Sequence, residues 1–323
     1  MESNVKTQHL LVAMVFIVYL LPTVSRAQCC AAGNPLNFSP DLSRSEKGSI
    51  TASVLYRNSY SDTYYNGREV IDIDYVDHSG FNYMEAGIEY GISQRASVKV
   101  EAGYFLTKYE TYKNPDFADK VATGLADLNL EGRFEVYKKP SQRLRLQVMA
   151  GLKLPIGVFD LEEDQVKFPV QLQPSSGSFR YHGGLLVSKG FVNSKLNAFA
   201  TANIEISQRI KSKNFDYKYG TVYVVALGAA WPLTTKVTLM LQARTEIRRH
   251  SSREENQQVE ASGGRIVMLV PQISMQPFKD WHINLSFSAP VYRNYHSIQL
   301  GNKYSFSVSL SKSHISIKRK AVH

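Results

Sequence analysis

Residues 124–157, GLADLNLEGRFEVYKKPSQRLRLQVMAGLKLPIG, constrain the fold more than any other stretch. Leu128, Leu130, Phe134 and Val136 alternate with Asn129, Glu131, Arg133 and Glu135. After Lys139-Pro140-Ser141-Gln142 the alternation resumes, with Leu144, Leu146, Val148, Ala150, Leu152 and Leu154 against Arg143, Arg145, Gln147, Met149, Gly151 and Lys153. A period of two puts one set on each side of a pleated strand, whereas a helix at about 100° per residue would mix them. The stretch therefore predicts a β-hairpin with one apolar face and one charged face. A soluble antiparallel sheet shows the same alternation, so arm length has to decide. These arms hold about ten residues or more, enough for a tilted strand to cross a bilayer, against about five or six in an average soluble strand.

The rest of the chain repeats this pattern. Strands are predicted over residues 48–60, 83–92, 97–107, 179–189, 195–207, 219–231, 236–248, 265–275, 281–292 and 303–310, which with the hairpin makes twelve. The connections alternate between short turns and longer polar loops, as in single-chain outer-membrane barrels, and an even count returns both ends to the periplasm. The segments 61–80 and 158–178 read as loops. Tyr56, Tyr90, Tyr137, Trp231, Trp281 and Tyr292 fall near strand ends, where amphipathic rings favour the headgroup boundary.

The address agrees with an exported barrel. Lys6, an apolar run over 10–21, Pro22 and Ser25-Arg26-Ala27 predict a cleaved signal peptide over residues 1–27. No later apolar run is long enough for a spanning helix, which leaves a closed barrel as the way into a membrane. The expected organisation is signal peptide 1–27, periplasmic lead-in 28–47, barrel 48–310 and basic tail 311–323. The net charge of +10 is dispersed along the strands rather than gathered into a patch, which together with export excludes nucleic acid as the expected partner. Outer-membrane lipid of a Gram-negative cell and the barrel-assembly machinery are expected partners instead.

Against this frame, Gly124-Leu125-Ala126-Asp127-Leu128 resembles the G-x-G-D-L strand opening of an outer-membrane barrel family labelled as transporters or meta-pathway phenol-degradation proteins. Gly151-Leu152-Lys153-Leu154-Pro155-Ile156-Gly157 resembles its G-x-K-L-P-T-G strand end. Ala126 stands where that family has a second glycine, and Ile156 where it has threonine. The resemblance implies a barrel of about this size that passes small or apolar compounds. Tyr304, Phe306, Val308 and Leu310 resemble the alternating end-strand signal read during barrel assembly, with residues 311–323 following.

Charged groups are costly on a lipid-facing surface, so the alternation assigns them to the interior. The candidate lumen residues are Glu85, Glu89, Glu101, Glu131, Arg133, Glu135, Arg143, Arg145, Lys153, Arg180, Arg244 and Glu246. Acids lie on early strands and bases mostly on later ones, which gives two expectations: opposed walls that act on a solute in a pore, or ion pairs that fill the barrel. The adjacent Cys29 and Cys30 cannot staple a fold and are candidates for periplasmic docking or redox pairing. Asp77-His78-Ser79-Gly80 is the best nucleophile-like cluster, but adjacent residues on an extended chain point apart, so no enzyme is expected. His182, His250 and His296 lack metal-ligand spacing, and no nucleotide fingerprint occurs, so neither metal nor cofactor is expected. The functional expectation is a passive channel for small molecules, with a non-conducting structural or docking barrel as the second reading.

Overall fold

The structure is a computed structural model that describes residues 46–315 apart from 164, 213 and 214. The expected signal peptide, Cys29, Cys30 and residues 316–323 lie outside the described residues. Among the described residues one antiparallel sheet dominates. Its strands are β1 (Ser49–Asn66), β2 (Val76–Gly91), β3 (Ala96–Tyr112), β4 (Lys120–Lys139), β5 (Leu144–Leu154), β6 (Arg180–Phe191), β7 (Leu196–Ser207), β8 (Val222–Pro232), β9 (Val237–Arg248), β10 (Gly264–Met275), β11 (Trp281–Tyr295) and β12 (Ile298–Ile315). The sheet counts thirteen strands, of which the three-residue Glu69–Ile71 only hangs on β1, leaving twelve in the barrel. β12 pairs with β1 from Ser49 opposite Ile315 to Asn66 opposite Ile298, so the sheet closes on itself and leaves no edge.

One face of each strand is apolar and turned outward. On β3, for example, Val98, Val100, Tyr104 and Leu106 are exposed while Ser97, Glu101 and Phe105 are buried. Turns at 92–95, 140–143, 192–195, 233–236 and 276–280 mark one rim. The connections 67–75, 113–119, 155–179, 208–221 and 249–263 mark the other, with the tight 296–297 link. The first and last described strand ends, Ser49 and Ile315, share the short-turn rim.

The strands differ in height. β1 to β4, β11 and β12 hold 15 to 20 residues, whereas β5 to β10 hold 11 or 12. Much of the polar 61–80 segment, expected to be a loop, is strand, and β12 runs past Leu310 to Ile315. The reason lies on the outer face. Above Tyr56 that face turns polar, with Asn58 and Tyr56 both bonded to Asn82 and Asn82 bonded to Thr107. Backbone pairing continues there without the apolar alternation that only a lipid-facing surface requires. Register shifts beside Tyr60, Asn82 and Phe105 break the phase further.

Candidate functional site

From β2 to β7 the lumen is filled by its own charges. Arg133 reaches Glu131 at 2.6 Å and Glu89 at 3.4 Å, and Lys99 pairs with Glu101. Asn129 donates to Glu101 and bonds the His182 ring, both at 2.8 Å. Further along, Glu205 holds Lys153 at 2.7 Å and Arg180 at 3.0 Å, while Glu135 lies 3.9 Å from Arg145. The pairing is between near neighbours, because strand stagger sets an acid beside a base on the same wall. Opposed acidic and basic walls do not form on this side. Arg143 stands apart from the other candidates: it occupies the β4–β5 turn with a φ of 49° and is exposed. Pro140–Gln142 forms a short 3-10 turn there, and the Arg143 amide donates to the Pro140 carbonyl.

The same half of the barrel receives the long connection 155–179. Residues 172–176 and 178 are buried. Lys108, itself 1% exposed, donates from Nζ to the Gln173 carbonyl at 2.9 Å, and its ammonium sits over the Phe105 ring. Asp127 accepts from the Ser175 hydroxyl at 2.6 Å and from the Ser176 amide at 2.9 Å, and the Tyr219 hydroxyl donates to the Ser176 carbonyl. Gln173 ties the loop to itself through Leu161 and Phe168. A Cβ on Gly157 would lie 1.7 Å from the Leu125 carbonyl, so only glycine lets the loop leave β5 in this direction. The two ends of the 124–157 motif thus pack on each other, and its aspartate anchors the loop.

The other half remains open. A cavity of about 570 Å³ follows β12 from Gln299 near the long-loop rim to Ser313 near the short-turn rim. One wall is hydroxylated: Ser53 on β1, Ser286 on β11, and Ser305, Ser307, Ser309 and Ser311 on β12 all line it. The facing wall carries Gln242, Arg244, Glu246 and Arg248 of β9, and Arg57 and Glu85 approach the same level from β1 and β2. The charges of Arg244, Glu85 and Glu246 all act on Arg57, which places these groups around one charged waist. Above the waist the lining closes in, with Gln299 1% and Leu300 0% exposed, and Gln299 donates to the Gly263 carbonyl at 2.9 Å. Toward the short-turn rim Ser309, Ser311 and Ser313 are half-buried.

The twelve candidates therefore divide. Glu85, Arg244 and Glu246 line the cavity, and Glu89, Glu101 and Arg133 line it while belonging to the ion-pair network as well. Glu131, Glu135, Arg145, Lys153 and Arg180 serve in the ion-pair network beside it, and Arg143 serves in neither. The sequence reading missed Arg57 and the serine wall. The signal for the latter was present, since Ser305, Ser307, Ser309, Ser311 and Ser313 alternate with the apolar residues of the end strand. Asp77 to Gly80 belong to β2. The Ser79 hydroxyl is buried and given to the Tyr109 carbonyl at 2.9 Å, while His78 bonds Asp77 and lies tilted against the Tyr60 ring and edge-on to Tyr109. His250 and His296 stack at 4.1 Å, and among the described residues no group of three or more His, Cys, Asp or Glu could hold a metal.

The architecture is similar to that of an outer membrane channel from Pseudomonas putida F1. The TM-score is 0.70 at 10% identity, over 85% of this chain and 99% of that one. The β domain of the Bordetella autotransporter BrkA covers 83% of this chain and 100% of its own at 12% identity, with a TM-score of 0.49. The KdgM porin covers 81% and 99% at 9% identity, with a TM-score of 0.45. Those last two likenesses are too distant to carry an argument. No family model matches the chain, and no curated protein matches it in sequence. The fold is that of a twelve-stranded outer-membrane β-barrel, and its apolar outer belt suits it to that membrane.

Proposed function

We propose that the protein is a passive outer-membrane channel for small polar molecules. The observation that carries this reading is the cavity that accompanies β12 along nearly its whole length. A tilted strand of that span crosses a bilayer, so a void beside it has the reach of a pore. Its volume, about 570 Å³, spread over such a length, suits one small solute at a time and not the traffic of a wide general porin. The hydroxyl wall and the charged waist favour polar solutes over the apolar ones that the family resemblance brings to mind.

The buried upper end, at Gln299 and Leu300, favours the second reading, a non-conducting barrel that presents its loops or docks a periplasmic partner through Cys29 and Cys30 or the basic tail. Conductance of the refolded protein in a planar bilayer separates the two. Steady single-channel steps support the channel. Silence from protein whose fold is verified by heat-modifiable gel mobility overturns it.

A further inference from the structure

We propose that the waist of the cavity binds small hydroxylated carboxylates, with Arg244 as the principal contact; this rests on the channel reading. Arg244 is poorly supplied with partners. A guanidinium offers five N–H donors in a planar fork. Here Nη2 points to the thioether sulfur of Met268 at 3.2 Å, a weak acceptor, and the Glu246 carboxylate is 3.7 Å away. That carboxylate is already engaged, since Arg248 reaches its other oxygen at 3.2 Å. Nε of Arg244 has no hydrogen-bond partner among the described residues. Nε itself is buried, but the side chain is 16% exposed and lines the cavity, so the Nη donors are the ones a solute can reach. Arg145 offers a contrast: it is equally screened, but it belongs to the filled half and lies beside Glu135.

Charge at this level also favours an anion. The cavity lining carries Arg57, Lys99, Arg133, Arg244 and Arg248 against Glu85, Glu89, Glu101 and Glu246, an excess of one positive charge, and the Arg57 and Arg244 charges act on each other. The protein walls lower the effective dielectric around these groups, so an anion between the two guanidiniums gains more than it would in bulk solvent. A carboxylate matches the fork geometry and forms charge-assisted hydrogen bonds. Beside the waist, where Ser307 stands opposite Arg57 in the strand pairing, Ser286 and Ser307 face each other with oxygens 2.6 Å apart, in a wall of further hydroxyls. Each can donate or accept, so a solute that carries its own hydroxyls exchanges water for protein without leaving polar groups unmatched. A single small molecule bearing both features engages waist and wall together.

Single-channel recording of the full mature protein tests this with gluconate as the charged probe and glucose as its neutral counterpart. Gluconate added on the short-turn side should interrupt the wild-type chloride current at concentrations where glucose does not. Arg244→Gln should weaken that block about tenfold, the scale of one lost charge-assisted contact, and lower the anion preference read from the reversal potential. Arg244→Lys should retain the anion preference but recover only part of the block, because the charge remains and the fork does not. If Arg244→Gln fails to fold, Arg57→Gln replaces it with the same expected direction. Conducting channels in which gluconate and glucose act alike, or in which neither substitution changes the block, overturn this inference and leave the channel reading intact. A silent, folded wild type overturns the channel reading, and the inference with it.

Discussion

The strands β2 to β7 and the strands β9 to β12 with β1 follow one alternating rule, yet they leave their shares of the lumen in opposite conditions. On the first side, long ionisable side chains reach one another and the 155–179 loop occupies the space left over. On the second, the inward positions of β11, β12 and β1 are mostly serine, too short to meet across the interior. Polarity is common to both sides. The reach of the side chains separates a filled half from an open one, and the inserted loop enforces the difference.

The filled half can be broken most severely at Gly157. Gly157→Val would place a branched side chain against the Leu125 carbonyl, where even a Cβ has only 1.7 Å. The loop could not leave β5 along its present path, and the expected loss exceeds about 4 kcal/mol, in the exceptional range for a single substitution. Heat-modifiable gel mobility should show little or no folded barrel. Glu205→Ala attacks the ion pairs instead. Glu205 is 4% exposed and serves both Lys153 and Arg180, so its removal leaves buried Arg180 with only the more distant Asp127 and takes this acid from half-buried Lys153. Urea unfolding in lipid vesicles should register a loss of about 3–5 kcal/mol.

A milder change sharpens the comparison without collapsing the barrel. Asp127→Ala removes the acceptor for the Ser175 hydroxyl and the Ser176 amide, and with it about 1.5–3 kcal/mol of loop anchorage. Limited proteolysis from the long-loop side should then cut within residues 155–179. Conductance should rise, because the loop no longer fills its half. Unchanged proteolysis would mean that Lys108 and Tyr219 hold the loop by themselves.

Much of this architecture was legible in the sequence, and the parts that were not share a cause. Twelve strands and the short-turn rim followed from period-two alternation, because lipid demands an apolar residue at every outward position. That demand lapses above Tyr56, so the upper parts of β1 and β2 form strand with a polar outer face and carried no readable pattern. The Glu131 to Glu135 series was legible as inward, but its partners were not, since stagger between strands sets which acid meets which base. Arg143 was misplaced by one turn because alternation continues through it while the backbone does not. The serine wall was visible as the complement of Tyr304, Phe306, Val308 and Leu310, yet serine carries no hydropathy signal of its own. The buried path of residues 172–178 rests on Lys108 and Asp127, contacts between positions far apart in sequence.

The smallest expected effect on stability tests the distinction between reach and polarity most directly. Ser307 lines the cavity and meets Ser286 at 2.6 Å in the half-buried part of the wall. Ser307→Ala removes one neutral hydrogen bond near water and should cost about 0.5–1 kcal/mol, visible only as a slight shift in the urea midpoint. Ser307→Met adds an apolar chain of greater length at the same site. If reach keeps this half open, methionine should reduce single-channel conductance well below the alanine value. If hydration by the hydroxyls keeps it open, the two variants should lose conductance alike, because each removes the same oxygen and differs only in how far it extends into the lumen.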